Sequence, residues 1–380
     1  MLITTEHQFM FCNAKRLSKI SDQSIDLVVT SPPYPMIQMW DELFKSLSIP
    51  IKEALDSEEG NTAFSLMHEE LNAVWTELYR VLKDGAFLCI NVGDAVRTID
   101  KKFQLYSNHS RIISFCTGIG FNALPVILWR KQTNAPTKFM GSGMLPAGAY
   151  ITLEHEYILV FRKGGKRNFD SVSEKMARQE SAYFWEERNK WFSDVWDFKG
   201  TTQKLSDDKV RQRSAAFPLE LAYRMINMYS VKGDKILDPF LGTGTTILAA
   251  MAACRNSIGV ELDSEFKDVI TNQIQNCRSF LNSRISERVA SHRSFIEECQ
   301  TREKTLKYLS AHHGFPVMTR QEINMILYEI KEIILEPGDR IRVSYQKISE
   351  NDPLSPSETA TTTATTIHRS TKSKQQSLGF

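Results

Sequence analysis

The run Ile25-Asp26-Leu27-Val28-Val29 is almost continuously apolar. That is the pattern of a strand covered on both faces in a parallel sheet. Similar runs at Ala86–Val92, Leu124–Trp129, Tyr157–Phe161, Lys235–Leu237 and Ser257–Val260 predict further strands, and His7–Cys12 predicts a first one. Helical spacing alternates with them. Leu71, Val74, Leu78, Val81 and Leu82 predict a helix over 66–82, stopped by Lys83-Asp84-Gly85. Shorter helices are predicted at Ile112–Thr117, at Ile247–Ala253, and after Phe217-Pro218, where Leu221, Met225 and Met228 share a face. Strand–helix alternation predicts an α/β fold with helices on both faces of a mostly parallel sheet.

Three stretches depart from this rhythm. Residues 50–62 are polar and acidic and are expected to form a mobile loop. Residues 162–213 hold 13 Lys and Arg against 9 Asp and Glu, a surplus of +4 where the whole chain carries +2. Clustered among them are Tyr183, Phe184, Trp185, Trp191, Phe192, Trp196 and Phe198. Basic and aromatic interleaving suits nucleic-acid contact, while aromatics alone suit a small core; both readings stay open. In the last hundred residues, Phe266–Leu281 and Arg302–Ser310 look helical, Thr319-Arg320-Gln321-Glu322 reads as a capping box before a helix over Ile323–Ile334, and Arg340–Tyr345 reads as a strand. Beyond Asp352 the Ser/Thr-rich tail is expected to be disordered. The expected organisation is 1–164 and 214–280 as two halves of one domain, 165–213 as an insertion, 281–351 as an accessory region and 352–380 as a tail.

With a charge of +2 over 380 residues the chain is no general polycation, so any nucleic-acid contact must be local. No apolar run approaches membrane-spanning length and no signal-peptide pattern opens the chain, which predicts a cytoplasmic protein. The six cysteines form no C-x-x-C pair, so neither a zinc site nor a disulfide framework is expected. His155 between two glutamates carries no metal expectation, because strand alternation turns neighbouring side chains apart.

Two motifs carry chemistry. Thr30-Ser31-Pro32-Pro33-Tyr34 follows the first buried strand, and its prolines force the chain out of the sheet. Ligands of open α/β sheets bind where strands end in this way. Ser31 offers a hydroxyl, the prolines offer carbonyls of fixed direction, and Tyr34 offers a ring, a set suited to a flat heteroaromatic base. A proline-rich turn with a packed tyrosine is the bland alternative. The second motif, Asp238-Pro239-Phe240-Leu241-Gly242-Thr243-Gly244-Thr245-Thr246, lies between a strand and a helix. Gly242 and Gly244 let the backbone approach a ligand, and Glu261 closes the next strand where a ribose is held in dinucleotide folds. The third glycine of a pyrophosphate fingerprint is missing, so a nucleoside without a diphosphate is expected.

Taken together, the two motifs resemble those of the amino-methylating DNA methyltransferases that use S-adenosylmethionine. SPPY matches their catalytic (D/N/S)PP(Y/F/W) motif and DPFLGTGTT their cofactor motif, in the permuted order of the β class, over roughly residues 9–275. The resemblance implies a Rossmann-like methyltransferase sheet and a flipped-out base held by Ser31, Pro32, Pro33 and Tyr34. It places Asn13, Thr30, Phe217, Asp238, Pro239, Phe240, Gly242, Gly244, Thr245, Thr246 and Glu261 at the cofactor, with Asp238 on its amino group and Glu261 on its ribose. Asn13 stands where Asp is common, and capping a helix over Ala14–Ile20 is its other open role. Duplex DNA is the implied partner, in a restriction-modification system whose endonuclease forms no stable complex; the protein itself is expected to be a monomer or weak dimer. Arg130, Lys131, Lys163, Lys166, Arg167, Arg211 and Arg213 are the candidate DNA contacts. SPPY favours cytosine N4 over adenine N6. A catalytically idle DNA-binding relative, and an RNA or protein methylase, are the competing readings.

Overall fold

The structure is a computed structural model, and it describes residues 3–131, 140–141, 144–200 and 217–348. One sheet runs through the molecule. Its strands are β1 (Thr4–Phe11), β2 (Ile25–Thr30), β3 (Leu82–Val92), β4 (Phe121–Ala123), β5 (Ile127–Arg130), β6 (His155–Lys163), β7 (Val195–Asp197), β8 (Lys235–Asp238), β9 (Asn256–Glu261), β10 (Tyr328–Glu336) and β11 (Arg340–Lys347). They stand in the order β7-β5-β6-β3-β2-β8-β9-β1-β11-β10, and β4 pairs with β6. The centre, from β3 to β1, is parallel, whereas β6 and β11 flank it antiparallel. This is the α/β architecture, a mostly parallel central sheet with helices on both faces, that the sequence predicts.

Alternation along each central strand divides the core between two faces. Leu27, Val29, Cys89, Ile158 and Val160 point one way, towards helices α7 (Leu219–Tyr229) and α8 (Thr245–Ala252). Val28, Leu88, Ile90, Leu159 and Phe161 point the other way, towards α3 (Gly60–Val81) and α4 (Asn108–Gly118). Fully burying one such side chain is worth about 1.5–3 kcal/mol. β2 is buried at every position, which explains its lack of polar alternation. Among the described residues no helix is long and apolar enough to cross a membrane.

Several expectations are corrected. Residues 50–62 form no loop: α2 (Ile49–Asp56) and the start of α3 occupy them, and with α1 (Asp41–Leu47) they bury Phe44, Ile51, Ala63 and Met67 in a third cluster. Ala14–Ile20 is a pair of turns rather than a helix. Lys83-Asp84-Gly85 ends the helix but already belongs to β3, whose register against β2 shifts there; Gly85 takes φ +81°.

The largest correction lies downstream. The capping box is real, since Glu322 accepts from Thr319 N at 2.7 Å, but it opens a single 3-10 turn, Arg320–Glu322. Residues 328–336 are then a strand, not a helix. Residues 302–310 are not helical either; α10 (Arg278–Thr301) ends before them. The β10–β11 hairpin joins the main sheet beside β1, so part of the expected accessory region completes the central domain. The expected tail lies outside the described residues.

The aromatics of 183–198 divide between a core and the surface, where Trp185 and Phe192 stay exposed. Phe184, Trp191 and Trp196 are buried, and Phe184 stacks on His292 with ring centres 3.9 Å apart. Helix α6 (Trp185–Trp191) is fixed to α10 by Glu187, whose carboxylate meets Arg288 Nε at 2.5 Å and Nη2 at 2.7 Å.

Candidate active site

A cavity of about 520 Å³ lies at the carboxyl ends of β1, β2, β8 and β9. Ser31, Pro32, Pro33 and Tyr34 form one part of its wall; Asn13, Phe217, Pro239, Phe240, Gly242, Thr245 and Glu261 form another. Two stretches some two hundred positions apart therefore share one space.

What joins them is buried beneath. Thr30, the last residue of β2, donates its hydroxyl to Asp238 Oδ1 at 2.7 Å. Thr246 donates to Oδ2 at 2.6 Å, and Phe240 N reaches Oδ1 at 3.0 Å. Asp238 is almost wholly buried, and burial pushes its carboxyl up to about 6, against the pull of the two hydroxyls. Its oxygens are thus occupied from within, and Asp238, Thr30 and Thr246 do not line the cavity. Asp238 holds the glycine loop to the end of β2. Gly244 is likewise set back from the lining. It caps α8 with φ +95°, a conformation that suits glycine.

Glu261 does face the cavity. Its Oε2 accepts from Gly242 N at 2.8 Å, and its Oε1 from Leu262 N at 2.8 Å and Asp263 N at 3.0 Å. Burial raises its pKa, and the three amides oppose that rise. Asn13 accepts from Lys15 N at 2.9 Å through Oδ1, and its amide nitrogen keeps its donors. The Thr243 hydroxyl, on the same wall, is buried without a hydrogen-bond partner among the described residues. Apolar walls from Phe217, Pro239 and Phe240, a carboxylate, an amide and an unsatisfied hydroxyl are a donor and acceptor set that fits a nucleoside such as S-adenosylmethionine.

On the other wall, Tyr34 turns its hydroxyl inward. It donates to Glu156 Oε2 at 3.0 Å and accepts from Asn91 Nδ2 at 2.9 Å. Burial and the Glu156 charge both raise the Tyr34 pKa far above its ordinary value, so the hydroxyl stays protonated. Ser31 Oγ lies 3.0 Å from the same oxygen. Asn91 also donates to Glu156 at 2.6 Å, and Lys131 pairs with the other Glu156 oxygen. Asn108, wholly buried, donates to Pro35 O at 3.1 Å and Gly93 O at 2.9 Å, clamping the loop to the end of β3. Asp94 accepts from His109 N, in the first turn of α4, at 3.1 Å. Met36 packs in the core, while Met39 and Trp40 line the cavity.

Sequence reading missed Glu156 and Asn91. The available signal was alternation: on β6, Glu156 shares a face with Ile158 and Val160, and a carboxylate on an apolar face needs a partner. What could not be read was the register, Tyr157 against Val92 and Ile158 against Asn91, which brings Glu156 to the loop.

The candidate DNA contacts are largely engaged elsewhere. Lys163 is buried and donates to Tyr79 O at 2.7 Å and Leu82 O at 2.8 Å. Arg167 pairs with Asp234 at 2.7 Å. Register places this segment far from the cavity, because Arg162 stands opposite Phe87 while Ser31 follows Thr30, which pairs with Ile90. Lys166 and Arg167 line a separate cavity at the opposite ends of the strands. Arg130 and Lys131 do stand at the cavity end, paired with Asp197 and Glu156. Arg211 and Arg213 lie outside the described residues.

Comparison with known proteins agrees with this geometry. A family model described as DNA methylase matches residues 25–272. The chain is 52% identical over 347 residues to a type II methyltransferase, M.MthZI, of Methanothermobacter thermautotrophicus, covering 91% of this chain and 96% of that protein. It is 48% identical over 283 residues to M.MjaI of Methanocaldococcus jannaschii, covering 72% and 92%. Among solved structures, a DNA modification methylase of Thermus thermophilus, TTHA0409, complexed with S-adenosyl-L-methionine, superposes with a TM-score of 0.55 at 30% identity, covering 70% of this chain and 92% of that one.

Proposed function

This chain belongs to the DNA methylase family whose model spans residues 25–272, and on that premise we propose that it methylates the exocyclic N4 of cytosine at a specific site in duplex DNA, with S-adenosylmethionine as donor. The observation that carries the reading is the shared cavity, with Ser31–Tyr34 on one wall and Pro239–Gly242 and Glu261 on another. The two archaeal relatives, both type II methyltransferases, support a modification role beside a restriction endonuclease.

When bound, S-adenosylmethionine supplies a methyl group activated by its sulfonium; the remaining work falls to the chain. Glu261, Asn13 and Thr243 would hold the nucleoside, and Phe217, Pro239 and Phe240 would exclude water. A base inside a duplex must be extruded to reach this cavity. Its amino lone pair is delocalised into the ring and is a poor nucleophile. Tyr34 would stack on the base, while Ser31 Oγ and the Pro32 carbonyl would accept the amino hydrogens and draw the lone pair out of conjugation. The preference for cytosine N4 over adenine N6 rests on Ser31 heading the SPPY form of the motif. Arg130 and Lys131, at the cavity end, are the described cations we place nearest the DNA.

Mass analysis of nucleosides from DNA incubated with the protein and labelled S-adenosylmethionine tests this reading. N4-methylcytosine is the expected product. N6-methyladenine would move the target to adenine, and label in RNA or protein alone would end the DNA assignment.

A further inference from the structure

We propose that Glu156 is a positioning residue that fixes which way the Ser31 hydroxyl points, acting through Tyr34. The proposal rests on the methyltransferase reading above. Its basis is proton counting in one cluster. The Tyr34 hydroxyl has a single hydrogen. As a carboxylate, Glu156 can only accept, and its Oε2 lies 3.0 Å away, so that hydrogen goes to Glu156. Asn91 Nδ2 donates to the Tyr34 oxygen at 2.9 Å and to Glu156 at 2.6 Å, which closes the triangle. Ser31 Oγ lies 3.0 Å from the Tyr34 oxygen. With the tyrosine hydrogen already committed, Ser31 is the donor in that contact.

The consequence reaches the cavity. Ser31 spends its one hydrogen inward and keeps its lone pairs for the cavity that it lines. A serine free to rotate would present its hydrogen to the incoming amino group for part of the time, donor against donor. The arrangement makes Ser31 a standing acceptor, which an amino group losing electron density at its hydrogens requires. Glu156 does this without touching the cavity, and Lys131 holds its other oxygen in place.

The test compares wild type with Glu156→Gln, Tyr34→Phe and the double variant in single-turnover methylation, with binding of S-adenosylmethionine and of duplex DNA measured in parallel. Either single variant should slow transfer about 10- to 100-fold. Both binding constants should stay within about twofold of wild type, because only the direction of one hydroxyl has changed. The double variant should be no slower than the worse single variant by more than about twofold, since both changes cut one chain. A Glu156→Gln enzyme with wild-type transfer, or losses that multiply in the double variant, would overturn the proposal. If Glu156→Gln does not fold, Tyr34→Phe alone reads the chain: wild-type transfer in that variant overturns it. No transfer to DNA by the wild-type protein would overturn the parent reading, and this role with it.

Discussion

Thr30 and Asp238, 208 positions apart in sequence, are joined side chain to side chain across 2.7 Å. Each is the last residue of its strand, and the chain beyond each enters the cavity wall within two residues. The Ser31–Tyr34 loop and the glycine loop are therefore tied by one buried side-chain hydrogen bond that extends the pairing of β2 with β8.

Asp238→Asn gives this seam a pH signature. The Asp238 carboxyl is pushed up to about 6 from an ordinary value of 3.8. Between those values the folded protein keeps a proton that the unfolded chain has lost, so folding is favoured more strongly at the acid end. The contribution of this group is fully present below about 4 and is lost as pH rises through about 6, at most about 3 kcal/mol in all. The stability of wild type relative to Asp238→Asn, measured by denaturant unfolding across pH 4 to 7, should fall with rising pH in that window. A flat difference would show that the carboxyl titrates normally.

Gly93→Ala should disturb catalysis more than folding. A β-carbon at Gly93 would stand 3.1 Å from the Tyr34 ring, close enough that the ring must shift by a few tenths of an ångström. The hydroxyl of that ring is held by Asn91 and Glu156, so the shift would strain the loop. Single-turnover transfer should drop about tenfold or more, with the melting temperature nearly unchanged. Wild-type transfer would mean that the ring position is not critical.

Lys163→Met and Lys166→Ala separate structure from DNA contact. Lys163 ties β6 to the end of α3 through two backbone carbonyls, and losing it should cost about 1–3 kcal/mol of stability. Lys166 is exposed at the far ends of the strands, and its loss should cost almost nothing. Neither change should weaken binding of a short duplex that carries the target site. A marked loss of affinity in either variant would bring the basic segment back to the DNA face.

Glu187→Ala should be severe. Arg288 is buried and answered by Glu187 on α6, with the Tyr223 hydroxyl 2.8 Å from Nη1. Removing the carboxylate strands a guanidinium away from water, at about 3–5 kcal/mol. Unfolding by urea measures the loss; a change below about 1 kcal/mol would show that water reaches Arg288.

Much of the central sheet was legible because its strands are buried on both faces. Ile25–Val29 had no other way to satisfy its side chains. The cavity motifs were legible because prolines and glycines restrict the backbone locally. Roles decided by pairing were not. Asp238 looked like a ligand contact, yet its oxygens face Thr30 and Thr246, a choice made by two strands meeting. Residues 323–334 read as helix because a capping box precedes them; cross-strand pairing of 328–336 with Arg340–Lys347 overrode that local signal. Lys163 read as a phosphate contact, since nothing in its neighbours announces the two carbonyls that it caps.

The hairpin of β10 and β11 settles what the flank of the sheet shows to other molecules. Tyr345 on β11 reaches across to Thr5 and to Met251 O, at 2.8 and 2.9 Å, so the hairpin is seated firmly. Without it, β1 would offer a row of bare amides and carbonyls, an open template for stacking of copies into aggregates. With it, the outermost strand is β10, whose exposed Lys331 and Glu332 discourage such growth. A shortened chain ending after α10 should thus lose solubility before it loses the cavity.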